Sequence, residues 1–335
     1  MSFFEGSSVE APVPEGLSVA EAEKFKNTCD SVGEGFPDIA GLGVMVSFAG
    51  QAFLSLAITT YVFLLSRTGS LEIEHEKGTE LYRRQRKRLK AFSQILMVGN
   101  DSQMLLGIAY MITIWTKQDN IGVYHLRLGF DTVSLVGVSS IVAFIWTTFC
   151  HKKLGQPPHR LSLRYIAAYI YAIFFFALTI VLITHLLKWN ETSLEPGFCY
   201  ETRGTSDAGT EAPDTEIFYV AVTGISLQGF MVAALFGGQK LRRPLVISAI
   251  LQFILHAYMM VTVREANQPL LEGTEREDDW DFGQTTALAL FGLSLLEVGK
   301  RAWRYWQWSQ ESDNRIIEEG RQVKFAGYEQ SVYSV

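Results

Sequence analysis

The apolar residues of this chain collect into long runs instead of being spread through the sequence. Seven stretches, at residues 39–66, 92–116, 121–150, 164–187, 217–237, 245–263 and 282–298, carry few charges. Each is close to the roughly 20 residues a helix needs to cross about 30 Å of hydrocarbon. A segment in hydrocarbon must satisfy its own backbone hydrogen bonds, so runs of this kind are helical. The fold class predicted is all-α: a polytopic membrane protein with seven transmembrane helices. Composition agrees. Of 335 residues, 48 % are hydrophobic and 19 % charged, against roughly 25 % charged in soluble domains. The 22 Phe, 13 Tyr and 7 Trp suit a lipid-facing surface with aromatic belts. These features exclude a disordered chain, a collagen, a disulfide miniprotein and an ordinary soluble enzyme. A net charge of −6 gives no reason to expect nucleic acid as a partner.

The pattern divides the chain into an acidic arm over 1–38, a seven-helix domain over 39–306 and a polar, loosely ordered tail over 307–335. The arm has no apolar core of the kind a signal peptide carries. Lys and Arg set the orientation. Alternate connections, 67–90, 152–164, 240–243 and 300–324, hold 21 of the 29 basic residues, and the other set holds 7. The positive-inside rule puts the 21 on the cytoplasmic side. The N-terminus is then outside or lumenal and the C-terminus cytoplasmic, in the plasma membrane or an endomembrane. The sequon Asn190-Glu191-Thr192 falls in an outside loop, as a glycosylation site must. Of the three cysteines, Cys29 and Cys199 lie on the same outer side and are predicted to pair in an oxidising compartment. Cys150 is predicted to be free.

The segment 67–91 reads as a charged cytoplasmic helix leading into span two. Its acids precede Arg83, Arg84, Arg86, Lys87 and Arg88. The basic half suits contact with anionic lipid, or serves as a topology signal alone. Trp303, Tyr305, Trp306 and Trp308 beside Lys300, Arg301 and Arg304 form an interfacial anchor. The acidic run Glu275, Glu277, Asp278, Asp279 and Asp281 lacks the spacing and turn glycine of a calcium loop and reads as solvated.

Ionisable groups inside spans cost at least about 2.5 kcal/mol each, so they point to function. Span two carries Asn100, Asp101 and Gln103. Span three carries Tyr124, His125, Arg127 and Asp131. Arg127 and Asp131 are four residues apart and share a helix face. Asp101 and Asp131 both fall near mid-depth on adjacent antiparallel helices. The expectation is therefore an Asp101–Arg127–Asp131 cluster completed by Asn100, Gln103 and Tyr124, with His125 at the outer mouth. Gln252 and His256, again four apart, add polar groups from span six. Gln51, Gln228 and Gln252 read either as part of this centre or as interhelical hydrogen-bonding glue. Gly41, Gly43, Gly50 and Gly107 are expected to allow close helix packing. No nucleotide-binding, hydrolase or metal-ligand motif is present, and no cofactor or metal is predicted.

The set Cys29, Pro37-Asp38-Ile39-Ala40-Gly41-Leu42-Gly43-Val44, Gln51, Asn100-Asp101-Ser102-Gln103, Gly107-Ile108 and Tyr124-His125 resembles a group of uncharacterised multi-span integral membrane proteins of filamentous fungi. The resemblance covers roughly residues 29–185. It implies a fungal seven-span protein and no particular reaction.

Three functions compete. The first is a receptor-like seven-span protein with a polar mid-membrane site for a lipophilic small molecule and a cytoplasmic signalling partner. Span three ends Thr147-Thr148-Phe149-Cys150-His151-Lys152, without the Asp/Glu-Arg-Tyr sequence of the commonest G-protein-coupled receptors, so layout alone carries that reading. The second is a membrane-embedded enzyme of secondary metabolism, of terpene-cyclase type. Asp101 or Asp131 would be its buried acid, and Tyr124, Trp115, Trp146, Phe174 and Phe176 its cation-stabilising rings. The third is a transporter or channel, in which buried carboxylates couple to protons. The receptor-like, non-enzymatic reading is preferred.

Overall fold

The computed structural model describes residues 32–67, 79–118, 121–153, 163–188, 200, 214–236, 241–272, 277 and 280–332. Among these residues the structure is helical, and no strand forms beyond one isolated parallel bridge between Glu34 and Glu272. A single turn, Pro37–Ala40, has proline in its first positions. It ends at Gly41 in an extended conformation. The long helices follow: α1 (Leu42–Arg67), α2 (Glu80–Lys117), α3 (Val123–Lys153), α4 (Leu163–Leu187), α5 (Asp214–Phe236), α6 (Arg242–Asn267) and α7 (Phe282–Val332). All seven are long and apolar enough to cross a membrane.

Local chemistry sets the ends. Thr79 Oγ1 accepts the Tyr82 backbone N–H at 3.2 Å and caps α2. Asp281 Oδ1 accepts the Gln284 N–H at 2.8 Å and caps α7 in the same way. Pro244 falls in the first turn of α6, where its missing N–H costs nothing. Of the charged stretch expected to be helical over 67–91, residues 68–78 lie outside the described residues, and from Glu80 onward it is helical and continuous with span two. The tail differs: α7 runs unbroken to Val332 where the sequence suggests loose order.

α3 is the pillar of the bundle. It packs against α1, α2, α4, α5 and α6, while α7 lies outside, against α1 and α2. Nearly every α3 side chain from Val123 to Phe149 is buried, including Arg127, Asp131, Thr132, Ser134, Ser139 and Ser140. The outer helices are one-sided. α4 buries Tyr165, Ala168, Tyr171, Phe175, Leu178, Leu182 and Leu186 at helical spacing, and it turns Ile166, Ile170, Ile173, Phe176 and Ile180 outward. A helix facing water reverses this pattern. α5, α6 and α7 likewise expose Phe218, Ile225, Val232, Ile247, Leu251, Ile254, Leu293 and Leu296. An apolar belt of this extent suits lipid contact.

Close approaches fall at the glycines singled out in the sequence. A Cβ on Gly43 would meet the Gln284 side chain at 2.9 Å, one on Gly50 would meet Phe291 at 2.8 Å, and one on Gly107 would meet Val136 at 3.0 Å.

Candidate functional site

The ends of the bundle differ. At the end where α1, α3, α5 and α7 begin (the entry end), charged side chains are buried between helices. Arg127 lies one turn into α3 and Asp131 one turn further, about 12 Å along the helix. The Arg127 Nη1 donates to Asp131 Oδ2, as the four-residue spacing predicts. Arg127 Nε donates to Glu216 Oε2 at 2.7 Å, from the first turn of α5. The guanidinium carbon also sits 4.4 Å from the centre of the Tyr219 ring, a cation–π contact that helps hold a desolvated charge.

Two phenols complete the carboxylates. Tyr200 OH donates to Glu216 Oε2 at 3.2 Å, and Tyr219 OH donates to Asp131 Oδ1 at 2.8 Å. Burial, and next the Glu216 charge, push the Tyr200 phenol well above its ordinary value, so it is a neutral donor. His256, about 16 Å back from the end of α6, brings Nδ1 to 2.8 Å from Asp131 Oδ1 and 2.9 Å from the Tyr219 oxygen. Arg127, Asp131, Glu216 and His256 are all 0 % exposed. The cluster holds two carboxylates against one guanidinium. Two atoms are left over: Arg127 Nη2 and His256 Nε2 have no hydrogen-bond partner among the described residues. Each such buried orphan costs about 1–3 kcal/mol unless something fills it.

A second buried knot closes the mouth of this end. Glu277, from the connection between α6 and α7, is 0 % exposed, which corrects the reading of its acidic run as wholly solvated. Its carboxylate accepts from Tyr124 OH at 3.1 Å, meets His125 Nε2 at 3.1 Å and lies 3.6 Å from Arg264 Nε. Its backbone carbonyl accepts from Gln284 Nε2 at 3.0 Å, and Gln284 Oε1 accepts the Gly43 N–H at 2.9 Å. Arg264 also donates to the Ala40 carbonyl at 3.0 Å. One acid thus joins α3, α6, α7 and the turn before α1.

The expected convergence of Asp101 on Arg127 does not form. Asp101 lies on the α4 side of α2 and accepts from Arg164 Nε at 2.9 Å, with 33 % of its side chain exposed. Gln103 is fully buried but serves as an α1–α2–α3 tie, donating to the Phe48 carbonyl at 3.2 Å and accepting from Ser139. Asn100 is buried with its Oδ1 unpartnered among the described residues. Tyr124 and His125 belong to the Glu277 knot, not to the Arg127 cluster. Gln252 does not join its neighbour His256, and its Oε1 has no partner among the described residues. Gln51 bridges the Gly99 carbonyl, 2.6 Å, to Ser294, 3.2 Å, and Gln228 donates to the Ala172 carbonyl at 2.8 Å, both in the manner of helix glue. Cys150 is a free, buried thiol. Cys29, Cys199 and Asn190 lie outside the described residues. Among the described residues no group of three His, Cys, Asp or Glu is arranged to hold a metal ion.

No known family profile matches the chain, and no solved structure matches it. Among curated proteins it is similar to "Elsinochromes biosynthesis cluster protein HP3" of the fungus Elsinoe fawcettii, 32 % identical over 108 residues. The match takes in 31 % of this chain and 42 % of that protein, so the chain spans well under half of the relative it matches.

Proposed function

We propose that this chain is a receptor-like, seven-span integral membrane protein. Its entry end faces outside or the lumen, and its C-terminus and basic connections face the cytoplasm. The Arg127–Asp131–Glu216–His256–Tyr219 cluster is the polar centre of a site for a lipophilic small molecule. One observation carries this reading: three helices are tied together by fully buried charges, and two of the polar atoms there are unpartnered. A ligand with an acceptor group and an apolar body would fill Arg127 Nη2 while resting on the Tyr219 and Phe130 rings. α5 and α6 each bring one ionisable partner to α3 within a larger packed interface, so a change of partner there bears on both helices. Two alternative seatings of the helices are what a switch requires.

The experiment is hydrogen exchange on the purified full chain, comparing wild type with Asp131→Asn. Faster exchange at the cytoplasmic ends of α5 and α6, with α1 and α7 unchanged, supports coupling across the bilayer. Changes confined to a turn or so around residue 131, or a uniform loss of protection, would rule the receptor-like reading out.

The fungal relative's name, a biosynthesis cluster protein, favours a second reading, an enzyme of secondary metabolism. The side chains speak against a cyclase acid. Asp131 is already paired with Arg127 and Asp101 with Arg164, so neither carboxyl faces an open cavity with a free oxygen pair. Trp146 also lies about 22 Å along α3 from Asp131, so the candidate aromatic lining does not surround that acid.

A further inference from the structure

The opposite, C-terminal end of the bundle carries a feature that the polar centre does not use. A cleft of about 550 Å³ opens between α2 and α7, lined by Lys87, Lys90, Gln94, Arg301, Arg304 and Tyr305. The contributing positions on α2 (87, 90, 91, 94) are spaced three and four apart, as are those on α7 (301, 304, 305), so each helix turns one face to the cleft. Four cations thus line one cavity. Among the described residues, Glu297 lies 3.3 Å from Arg301 Nε and 3.9 Å from Arg304 Nη2, so these two guanidinium groups share one carboxylate. We propose that this cleft binds the multiply phosphorylated headgroup of an anionic phospholipid.

Three observations carry the assignment. First, cations lining a shared cleft repel one another, and a topology signal has no need to face them inward; an anion between them removes that cost. Second, the volume suits a headgroup, since ligand sites run from about 300 to 1,000 Å³. Third, exposed tryptophans flank the cleft. Trp303 and Trp306 of the same stretch of α7 are 58 % and 50 % exposed, as rings at a headgroup boundary are. The walls are also fixed. Lys87 Nζ rests 4.0 Å from the Trp308 ring centre, Arg84 donates to Ser309 at 3.3 Å, and Phe92 packs on Tyr305. That the headgroup belongs to the cytoplasmic leaflet rests on the proposed orientation. The site itself does not.

The test uses the full chain in phosphatidylcholine nanodiscs, which expose both faces and so keep orientation out of the result. A phosphoinositide bisphosphate is added to one set and phosphatidylserine to another, and bound lipid is counted by native mass spectrometry. Selective binding of the phosphoinositide is expected. Lys90→Ala with Arg304→Ala should weaken it about thirtyfold, from the surface value per basic residue. Glu297→Gln should tighten it about fivefold, a gain that an unfolded variant cannot produce. Competition by soluble inositol trisphosphate would show that phosphate chemistry alone is read, and absence of competition that the lipid is needed; either supports the site. Equal binding of the two lipids, or an unchanged affinity in both variants, overturns it.

Discussion

Arg127 meets a carboxylate on its own helix, a carboxylate on α5 and the face of a phenol. Two acids share it, so the substitutions around it are unequal. Arg127→Met leaves Asp131 and Glu216 buried without a counter-ion and should cost about 3–5 kcal/mol. Asp131→Asn keeps an acceptor for Tyr219 and lowers the negative excess; its cost should be about 1–2 kcal/mol. Unfolding in mixed detergent micelles measures both, and equal losses would contradict the charge balance. The sequence displays half of this cluster. Arg127 and Asp131 are legible because helical spacing fixes which face they share. Glu216 is not, because an acid at the edge of an apolar run looks like loop. Asp101 misleads for a related reason: residue counts give depth in a helix but not the direction in which it faces its neighbours, and Asp101 turns toward Arg164. Glu277 had no sequence signal beyond an acidic run in which most residues read as solvent-facing.

At the scale of helices, the apolar runs locate all seven elements, and α3 shows what hydropathy leaves out. Its polar start reads as a weak span, yet it is the most enclosed helix, with Arg127, Asp131, Thr132, Ser134 and Ser139 bonded to partners inside the bundle. Packing elsewhere depends on missing side chains. Gly43→Ala forces a methyl against Gln284 Cβ at 2.9 Å and its carbonyl oxygen at 3.2 Å, on the seam between α1 and α7, and should destabilise by about 1–3 kcal/mol. Gly229→Ala, in α5 with nothing within 4 Å, should be neutral or stabilise by about 0.5–1 kcal/mol through helix propensity. Thermal melts of the two variants side by side would test this, and the argument fails if Gly43→Ala is the milder.

For the whole molecule, orientation is the property most open to check. The asymmetry of Lys and Arg between alternate connections predicts that Asn190 is glycosylated in a eukaryotic host and that Asn190→Gln abolishes the resulting gel shift. It also predicts that Cys29 and Cys199 are joined, so that a thiol-reactive label reaches them only after reduction. A protease added outside sealed vesicles should leave the C-terminal end of α7 uncut. An unmodified Asn190 together with a cleaved C-terminus would invert the topology.

Glu277 has a consequence for biogenesis. Synthesis delivers Tyr124, His125 and Arg264 well before residue 277, so the nascent bundle holds an open mouth whose Arg264 lacks this counter-ion. Emergence of the last connection supplies it, and the Gln284 side chain then latches that connection to Gly43. The first helix and the last are thereby latched together only once that connection has been made.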